Sequence, residues 1–437
     1  MIYVDIFLWE NRLGRLSWDD DKQYSHFVID SSFLGNKLDF APILLPINNI
    51  VPNQVYSYSE NRDSRCFVGL PPFIADSLPD KYGKEIIRCY YELNGIVGAN
   101  ITPLHQLSYI GKRGMGALEF IPAVDSNDNN ERIELSALAS LANEVLLERT
   151  SFKEKLQQKD KHILDILKIG TSAGGAKPKA IIAYNNNTGE VRSGQVKAPE
   201  GFEYYLIKFS GTNSNLYTGG GLDNVEEQMS SQIGPIEYAY YLMAKDCGIN
   251  MSQCQLLEEN GIHHFMTKRF DRTVNGEKIH MQTMAGIANM DRDFPQNYES
   301  LFIIANYLKL PYSSQEEIFR RMVFNVMARN HDDHTKNHSF LMYPSGKWEL
   351  SPAYDLCYSY NPTGKFTKHH QMYLNGKNDE FTYKDLETVA LKNNIHNYKQ
   401  IIEQVTEGVS KWEVFAKESH VMTDVAKFIN KNLLVTL

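Results

Sequence analysis

The 437-residue sequence predicts a mixed α/β (α+β) chain of two lobes, with strands concentrated in its earlier part and helices in its last. Three observations carry that prediction. Residues 2 to 9, 13 to 18 and 24 to 30 are short β-rich runs between turn residues, the pattern of an antiparallel start. Residues 254 to 257 and 262 to 270 flank the polar turn Glu258-Glu259-Asn260-Gly261 and read as a hairpin. From residue 300 onward helical spacing dominates, at about 299 to 309, 314 to 329, 383 to 394 and 397 to 432.

The chain is long enough for two or three domains around a large core. Its net charge of −8 argues against broad electrostatic binding of nucleic acid by this chain alone. The N-terminus lacks a basic segment and is interrupted by Asp5 and Glu10, so it reads as a strand and not as a signal peptide. No apolar run approaches the roughly 18 residues a membrane span needs. Cys66, Cys89, Cys247, Cys254 and Cys357 are scattered without a CxxC pair, which suggests reduced thiols, a cytoplasmic setting and no zinc ribbon.

In order along the chain, Asn11 and Asp19 to Asp21 mark the first turns. Pro71-Pro72 opens a segment that runs through Leu78-Pro79-Asp80 into a helix over 85 to 94, stopped at Gly95. Residues 111 to 120 are a glycine-rich turn feeding a strand; no helix follows and no GKS/T occurs, which disfavours a phosphate loop. The polar stretch 125 to 130 is a linker, followed by helices over 132 to 149 and near 159 to 168.

Next comes Gly170-Thr171-Ser172-Ala173-Gly174-Gly175-Ala176-Lys177-Pro178-Lys179, leading into a strand. Small residues let backbone N–H groups approach phosphates and the lysines add positive charge, although flexible hairpin loops have similar composition. The strand 204 to 210 carries Lys208 between apolar neighbours, either a phosphate-binding lysine or one that snorkels from a sheet edge. Glu237 on the following helix is a candidate ion-pair partner for it. Glu226 and Glu227 compete and are expected on an exposed turn.

The densest chemistry lies in Arg329-Asn330-His331-Asp332-Asp333-His334-Thr335-Lys336-Asn337-His338, answered by Tyr354-Asp355. Residues five apart on a helix stand roughly 140° apart, so a helix would not aim Asp332 and Asn337 at one ion. A curled loop can, and this is the Asp-to-Asn spacing of phosphoryl-transfer catalytic loops. Asp355 adds a harder oxygen ligand, and one carboxylate, one amide oxygen and a nucleotide suffice for magnesium. Two rival readings stand beside it: zinc held by His331 and His334 or by His334 and His338, which leaves Asn337 and Asp355 without a role, and a plain solvated loop.

These parts, in this order, resemble the HipA family of serine/threonine kinases, the toxin half of bacterial HipBA-type toxin–antitoxin modules. The stretches that carry the resemblance are Leu78-Pro79-Asp80, Gly116-Ala117-Leu118, the Ser172 to Lys179 loop, Lys208, Phe270-Asp271-Arg272, Asp332-x-His334-x-x-Asn337 and Tyr354-Asp355. The resemblance implies a bilobal protein-kinase-like, phosphoinositide-kinase-like fold: a β-rich N-terminal subdomain (1–122), an N-lobe with the phosphate loop (123–268) and an all-helical C-lobe with the catalytic loop (269–437). It also implies ATP and Mg2+ as cofactors.

By the same resemblance Asp332 is the catalytic base, and Asn337 and Asp355 bind magnesium. Gly174, Gly175, Ala176, Lys177, Pro178 and Lys179 cover the ATP phosphates that Lys208 contacts. Backbone around Lys268, Arg269 and Phe270 holds adenine, while His334, Thr335, Lys336 and Tyr354 complete the pocket. Ser172 matches the site of inhibitory autophosphorylation, with Thr171 a lesser substitute. Implied partners are a protein substrate, aminoacyl-tRNA synthetases being among the family's targets, and a HipB-like helix-turn-helix antitoxin through which DNA is contacted indirectly. No membrane partner is implied. Three departures stand out: Lys268 replaces a frequent acid, Asp333 a usual glycine, and the phosphate loop differs in sequence. Asp333 would either tighten metal binding or raise the pKa of Asp332. A small-molecule phosphotransferase and a pseudokinase regulatory module that binds an antitoxin repressor are the alternatives.

Overall fold

The computed structural model of the chain describes residues 2–79, 81–124, 132–136, 138–139, 177–211 and 225–437. They fall into two compact units: Met1–Phe209 with Met266–Asn289 and Leu341–Lys347, and Ser210–Phe265 with Met290–Phe340 and Trp348–Leu437. No helix among the described residues is long and apolar enough to cross a membrane.

In the first unit β1 (Tyr3–Leu8), β2 (Asn11–Asp19), β3 (Tyr24–Ile29), β4 (Val55–Ser57) and β5 (Leu118–Ile121) form an antiparallel sheet in the order β4-β3-β2-β1-β5. The two-residue period puts Val4, Ile6 and Leu8 fully inside, with Leu16 and Phe27 from the neighbouring strands. Phe27, Phe33, Phe40 and Phe73 close that core through edge-to-face contacts, the Phe40 and Phe73 rings being 5.4 Å apart. The first turn lies at Trp9 (φ 46°) and Glu10 (φ 66°), one step before the expected Asn11. Asn11 starts β2 and donates from its side chain to the Trp9 carbonyl at 2.9 Å, so it braces the turn from outside.

Three short helices follow in this unit, α1 (Pro72–Ala75), α2 (Lys81–Leu93) and α3 (Pro103–Ile110). The expected stop at Gly95 is present, with φ 84°. Asp80 and the linker 125 to 130 lie outside the described residues, as do the helix expected near 159 to 168 and residues 140 to 149 of the one before it. At the start of that earlier segment Ile133 donates to Val191 at 2.8 Å, so this end pairs with a strand before helix begins.

A second group of strands, β6 (Lys179–Tyr184), β7 (Val191–Ser193) and β8 (Glu203–Lys208), places β6 between its two antiparallel neighbours. β9 (Cys254–Glu259) and β10 (Ile262–Lys268) form the expected hairpin, turning on Asn260 (φ 51°) and Gly261 (φ 77°). The chain crosses from the second unit to the first within β10.

Beyond β10 the first unit is fastened by buried ions. Asp271 is fully buried and accepts from Arg269 Nη2 at 2.6 Å, Arg272 Nη1 at 2.8 Å and the Gly116 N–H at 2.7 Å. Burial alone would raise its pKa, but the two guanidiniums overcome that and hold it far below the usual carboxylate range. Arg272 also donates to the carbonyls of Gly114 and Gly116. The Gly116-Ala117-Leu118 and Phe270-Asp271-Arg272 signatures therefore meet in one cluster. A second tie joins Asp76 to Thr283, the last residue of β11 (His280–Thr283), through its N–H at 2.7 Å and hydroxyl at 2.8 Å. Gly286 in α6 (Met284–Ala288) is required there, because a Cβ would fall 2.0 Å from the Asp76 carboxylate.

The second unit is mostly helical: α4 (Val225–Ser231), α5 (Ile233–Asp246), α7 (Glu299–Tyr307), α8 (Tyr312–Met327), α9 (Tyr383–Lys392), α10 (Tyr398–Ser410), α11 (Trp412–Glu418) and α12 (Thr423–Asn432). Glu226 and Glu227 lie on α4 and not on a turn. Short strands interrupt the region expected to be all-helical: β11, β12 (Gln296–Asn297), β13 (Ser339–Met342), β14 (Trp348–Leu350) and β15 (Met372–Tyr373). They were hidden in the sequence because runs of two to four residues show no period.

The single helix expected over 397 to 432 is three. Unbroken, it would be about 54 Å long and could not fold back on itself. The breaks at Lys411 and His420 (φ 61°) let α12 return, so that Trp412 is fully buried, donates to Ala426 O at 3.0 Å and packs on Tyr240 at 5.3 Å.

Two interior histidines make stability sensitive to acid. His264 accepts from the Ser210 N–H at 3.1 Å, and burial pushes its pKa down to about 4, as it does for His280 in the first unit. A depressed folded pKa means stability is full above the unfolded value near 6.5 and is lost as pH falls toward 4. By pH 5 the pair should cost about 4 kcal/mol. Chemical denaturation between pH 7.5 and 5 checks this, and the His264→Asn/His280→Asn double variant should lose about 4 kcal/mol less over that range than the unmodified chain.

Candidate active site

The site grows from the end of α8. Arg329 takes a left-handed conformation (φ 56°), which stops the helix and turns the chain into an extended loop. Asn330 fastens the exit, its N–H bonded to Asn325 O at 3.0 Å and its amide to Asn325 Oδ1 at 2.9 Å. The Asp332 N–H then donates to Ser359 Oγ at 2.9 Å, so both sides of the loop are held.

Asp333 is the loop's internal anchor. Fully buried, it accepts on Oδ2 from Tyr298 Oη at 2.6 Å and His370 Nδ1 at 2.9 Å, and on Oδ1 from the Gln371 N–H at 2.8 Å and the Met372 N–H at 3.3 Å. Burial would raise its pKa, but His370 and these donors outweigh it and hold the carboxyl low. Both oxygens are filled from within, so Asp333 acts on its surroundings through its charge and not as a ligand. It adds to the upward push on Asp332, the second of its two expected effects.

Anchoring Asp333 inward turns its neighbour outward: the Asp332 side chain is 51 % exposed. Loss of surrounding water pushes the Asp332 pKa up, and nearby Asp355 and Asp333 push the same way, while His334 and Arg292 pull down. His334 Nε2 lies 3.7 Å from the carboxylate, and burial lowers its own pKa despite that neighbour. The loop then tightens into a 3-10 turn, Thr335–Asn337. Asn337 closes it by donating its side-chain N–H to Asp332 O at 2.7 Å, which commits the amide nitrogen and directs Oδ1 away from that bond. Asp332 and Asn337 thus converge as a curled loop requires.

Tyr354 bridges this turn to the next segment, its hydroxyl donating to Lys336 O at 2.7 Å and pairing with Ser339 Oγ. Asp355 follows with φ 56°, in the left-handed region that Asp enters more readily than most residues. The donor set fits a hard divalent cation: a carboxylate (Asp355), an amide oxygen (Asn337) and the crowded charge of Asp332 beside Asp355 that a cation would relieve.

The histidines do not gather as a zinc site. His331 is buried with its ring 4.0 Å from that of His370, His338 bonds Asp333 O at 3.2 Å, and His334 faces Asp332. Burial presses His331 to about 3 and His338 to about 4. Among the described residues no group of three or more His, Cys, Asp or Glu side chains is placed to hold a metal ion. Thr335 is buried too, its hydroxyl on Met290 O at 2.9 Å, so its side chain holds the loop.

The other site candidates divide as follows. In the first unit Lys179 and Lys208 stand directly opposite each other in the β6–β8 register, both buried, so Lys208 is not a snorkelling edge lysine. Lys177 is exposed, and Pro178 O accepts from the Phe209 N–H at 3.0 Å. Lys268 pairs with Glu203. The Arg269 N–H bonds Tyr204 O at 2.8 Å and its guanidinium bonds Asp271. Glu237 is buried on α5 in the second unit. Thr171, Ser172, Gly174, Gly175 and Ala176 lie outside the described residues. Sequence reasoning missed Arg292, Tyr298, Ser359 and His370. None belongs to a short motif, and each reaches the loop only through the fold.

Two family models match the chain, the HipA N-terminal domain over residues 4–121 and the HipA-like C-terminal domain over residues 171–412. The chain belongs to the HipA family. This HipA-family chain is 29 % identical over 155 residues to the protein named "Putative kinase Y4dM" of Sinorhizobium fredii, covering 32 % of this chain and 37 % of that one. It is 25 % identical over 135 residues to a "Putative kinase" of Haemophilus influenzae, covering 28 % and 39 %. It therefore spans well under half the length of these two relatives. Among solved structures it matches the "Shewanella oneidensis MR-1 Toxin Antitoxin System HipA, HipB and its operator DNA complex" with a TM-score of 0.62 at 18 % identity, over 98 % of this chain and 94 % of that one. The mixed α/β fold is shared with that HipA.

Proposed function

We propose that this HipA-family chain transfers the γ-phosphoryl group of ATP to a serine or threonine hydroxyl of a protein. The observation that carries the reading is the Asn337 amide fastened to the Asp332 carbonyl at 2.7 Å, with Asp355 near enough to act on the Asp332 carboxylate. Names given to two relatives, both putative kinases, support it.

In this mechanism Asp332 accepts the proton of the attacking hydroxyl, and its raised pKa makes it a better acceptor. Asp333, locked beneath it, keeps the loop in place. Magnesium, held by Asn337 and Asp355, would neutralise charge on the phosphates. Lys208 and Lys179 take phosphate oxygens together with the loop 174 to 179, while backbone around Lys268, Arg269 and Phe270 holds adenine. Glu237 supports Lys208. Ser172 is the proposed site of inhibitory autophosphorylation. The proposed setting is a cytoplasmic toxin–antitoxin pair whose partner is a HipB-like helix-turn-helix antitoxin, in line with the HipA and HipB named in the Shewanella complex. An aminoacyl-tRNA synthetase is a candidate protein substrate.

Calorimetric titration with ATP tests the metal site. Binding should strengthen at least tenfold with millimolar Mg2+, and Asn337→Ala or Asp355→Ala should remove that gain. Equal affinity with and without Mg2+ in the unmodified chain would overturn the assignment.

A further inference from the structure

The segment after Asp355 carries exposed cations. From residue 356 to 378 it contains Lys365, Lys368, Lys377 and two histidines but no carboxylate, in a protein of net charge −8. Lys377 is taken up by Asp385 at 2.8 Å and His369 by Asp379 at 2.9 Å. Lys365 and Lys368 are exposed. Between them Phe366 is 63 % exposed, with the Lys365 ammonium 5.3 Å from its ring centre.

This segment is fixed against the catalytic loop at both ends. Ser359 receives the Asp332 N–H at its start, and the Gln371 and Met372 N–H groups bond Asp333 at its finish. Between these anchors the loop is closed on itself, Asn361 N–H to Thr367 O at 3.2 Å and the Gln371 side chain to Phe366 O, which sets Lys365 and Phe366 at its tip. A loop held this way loses little entropy when it binds.

A second segment is delivered to the same end. β12 and β15 pair in parallel, Gln296 opposite Met372, so the residues that precede each strand emerge side by side. Before β12 stand Arg292, exposed and near enough to act electrostatically on Asp332 and His334, and Phe294, 64 % exposed. The turn carrying them is held by Phe294 N–H to Asp291 O at 3.2 Å and Asp293 N–H to Asp291 Oδ1 at 2.9 Å. Asp293 is the one exposed carboxylate on it.

We propose that Lys365, Phe366 and Lys368, with Arg292 and Phe294 beside them, form the acceptor-recognition surface of this kinase and select a polypeptide whose target hydroxyl is flanked by carboxylates. The inference rests on the kinase reading and deepens it by naming the acceptor's chemistry. The exposed lysines of this anchored loop, together with Arg292, which acts on Asp332, complement an acidic segment, and two exposed phenylalanines supply apolar contact for a folded or extended chain. Nucleic acid would meet the same cations, and RNA binding by the charge-reversed variant separates it from a polypeptide.

The test compares two synthetic peptides that differ only in flanks, Asp/Glu-rich or Lys-rich around one serine, with the full chain, Mg2+ and labelled ATP. The acidic peptide should be preferred by about tenfold or more in kcat/KM, with the preference shrinking at high salt. The Lys365→Glu/Lys368→Glu variant should reverse it while Mg-ATP affinity stays unchanged. Equal use of both peptides, preference for the Lys-rich one, or indifference to the charge reversal would overturn the inference and leave the kinase reading standing. Loss of RNA binding in the variant without change in peptide preference would overturn it in favour of nucleic acid. Label on neither peptide nor any lysate protein, despite Mg-ATP binding, would overturn the kinase reading itself.

Discussion

Asp332→Asn should lower phosphoryl transfer by about a thousandfold, within the range a positioned base supplies, while leaving the fold and nucleotide affinity intact. Asparagine has the same shape but cannot take the proton. The loop should survive because the bonds that hold it at this position come from the main chain: Asp332 N–H to Ser359 and Asp332 O from Asn337. The side chain itself is half exposed and carries none of that anchoring. The check is single-turnover transfer beside thermal denaturation. Activity within tenfold of the unmodified chain would remove Asp332 from the role of base, and a collapsed melting transition would reassign it to structure.

The largest stability effect is expected from Asp271→Ala. The substitution leaves the Arg269 and Arg272 guanidiniums, 1 % and 6 % exposed, without their shared counter-ion and frees the Gly116 N–H. Breaking a buried ion cluster on one side costs about 3–5 kcal/mol, a large share of what holds a domain together. Urea unfolding should show that loss, and the soluble yield should fall with it. A loss under 1 kcal/mol would mean that water reaches the cluster and that the Phe270-Asp271-Arg272 signature serves something other than the packing of Gly114 to Gly116.

What the sequence made legible was local. β1 to β3 and the Asn260-Gly261 hairpin were readable because alternation and turn chemistry are written within a few neighbouring residues. The Asp332 to Asn337 spacing was readable for the same reason, since a turn of six residues closes on itself. Asp333 was open to misreading: beside Asp332 in sequence it looked like extra charge at the metal, whereas its partners Tyr298, His370 and Gln371 lie 35 to 38 positions away. The breaks at Lys411 and His420 escaped notice because helical periodicity continues across them, and only the burial of Trp412 against α12 demands a turn. Arg292 was invisible for a related reason: its approach to Asp332 depends on the parallel pairing of two-residue strands, which leave no trace in composition.

The proposed phosphoryl transfer depends on Asn337 and Asp355 sharing one divalent ion beside Asp332. A crystal of the chain with Mn2+ and a non-hydrolysable ATP analogue reads this directly, through the anomalous signal of the metal. The account predicts a single peak within coordinating distance of Asn337 Oδ1 and an Asp355 carboxylate oxygen, bridging to the nucleotide phosphates. A peak on His331, His334 or His338, or nucleotide bound with no metal at Asn337 and Asp355, would contradict it.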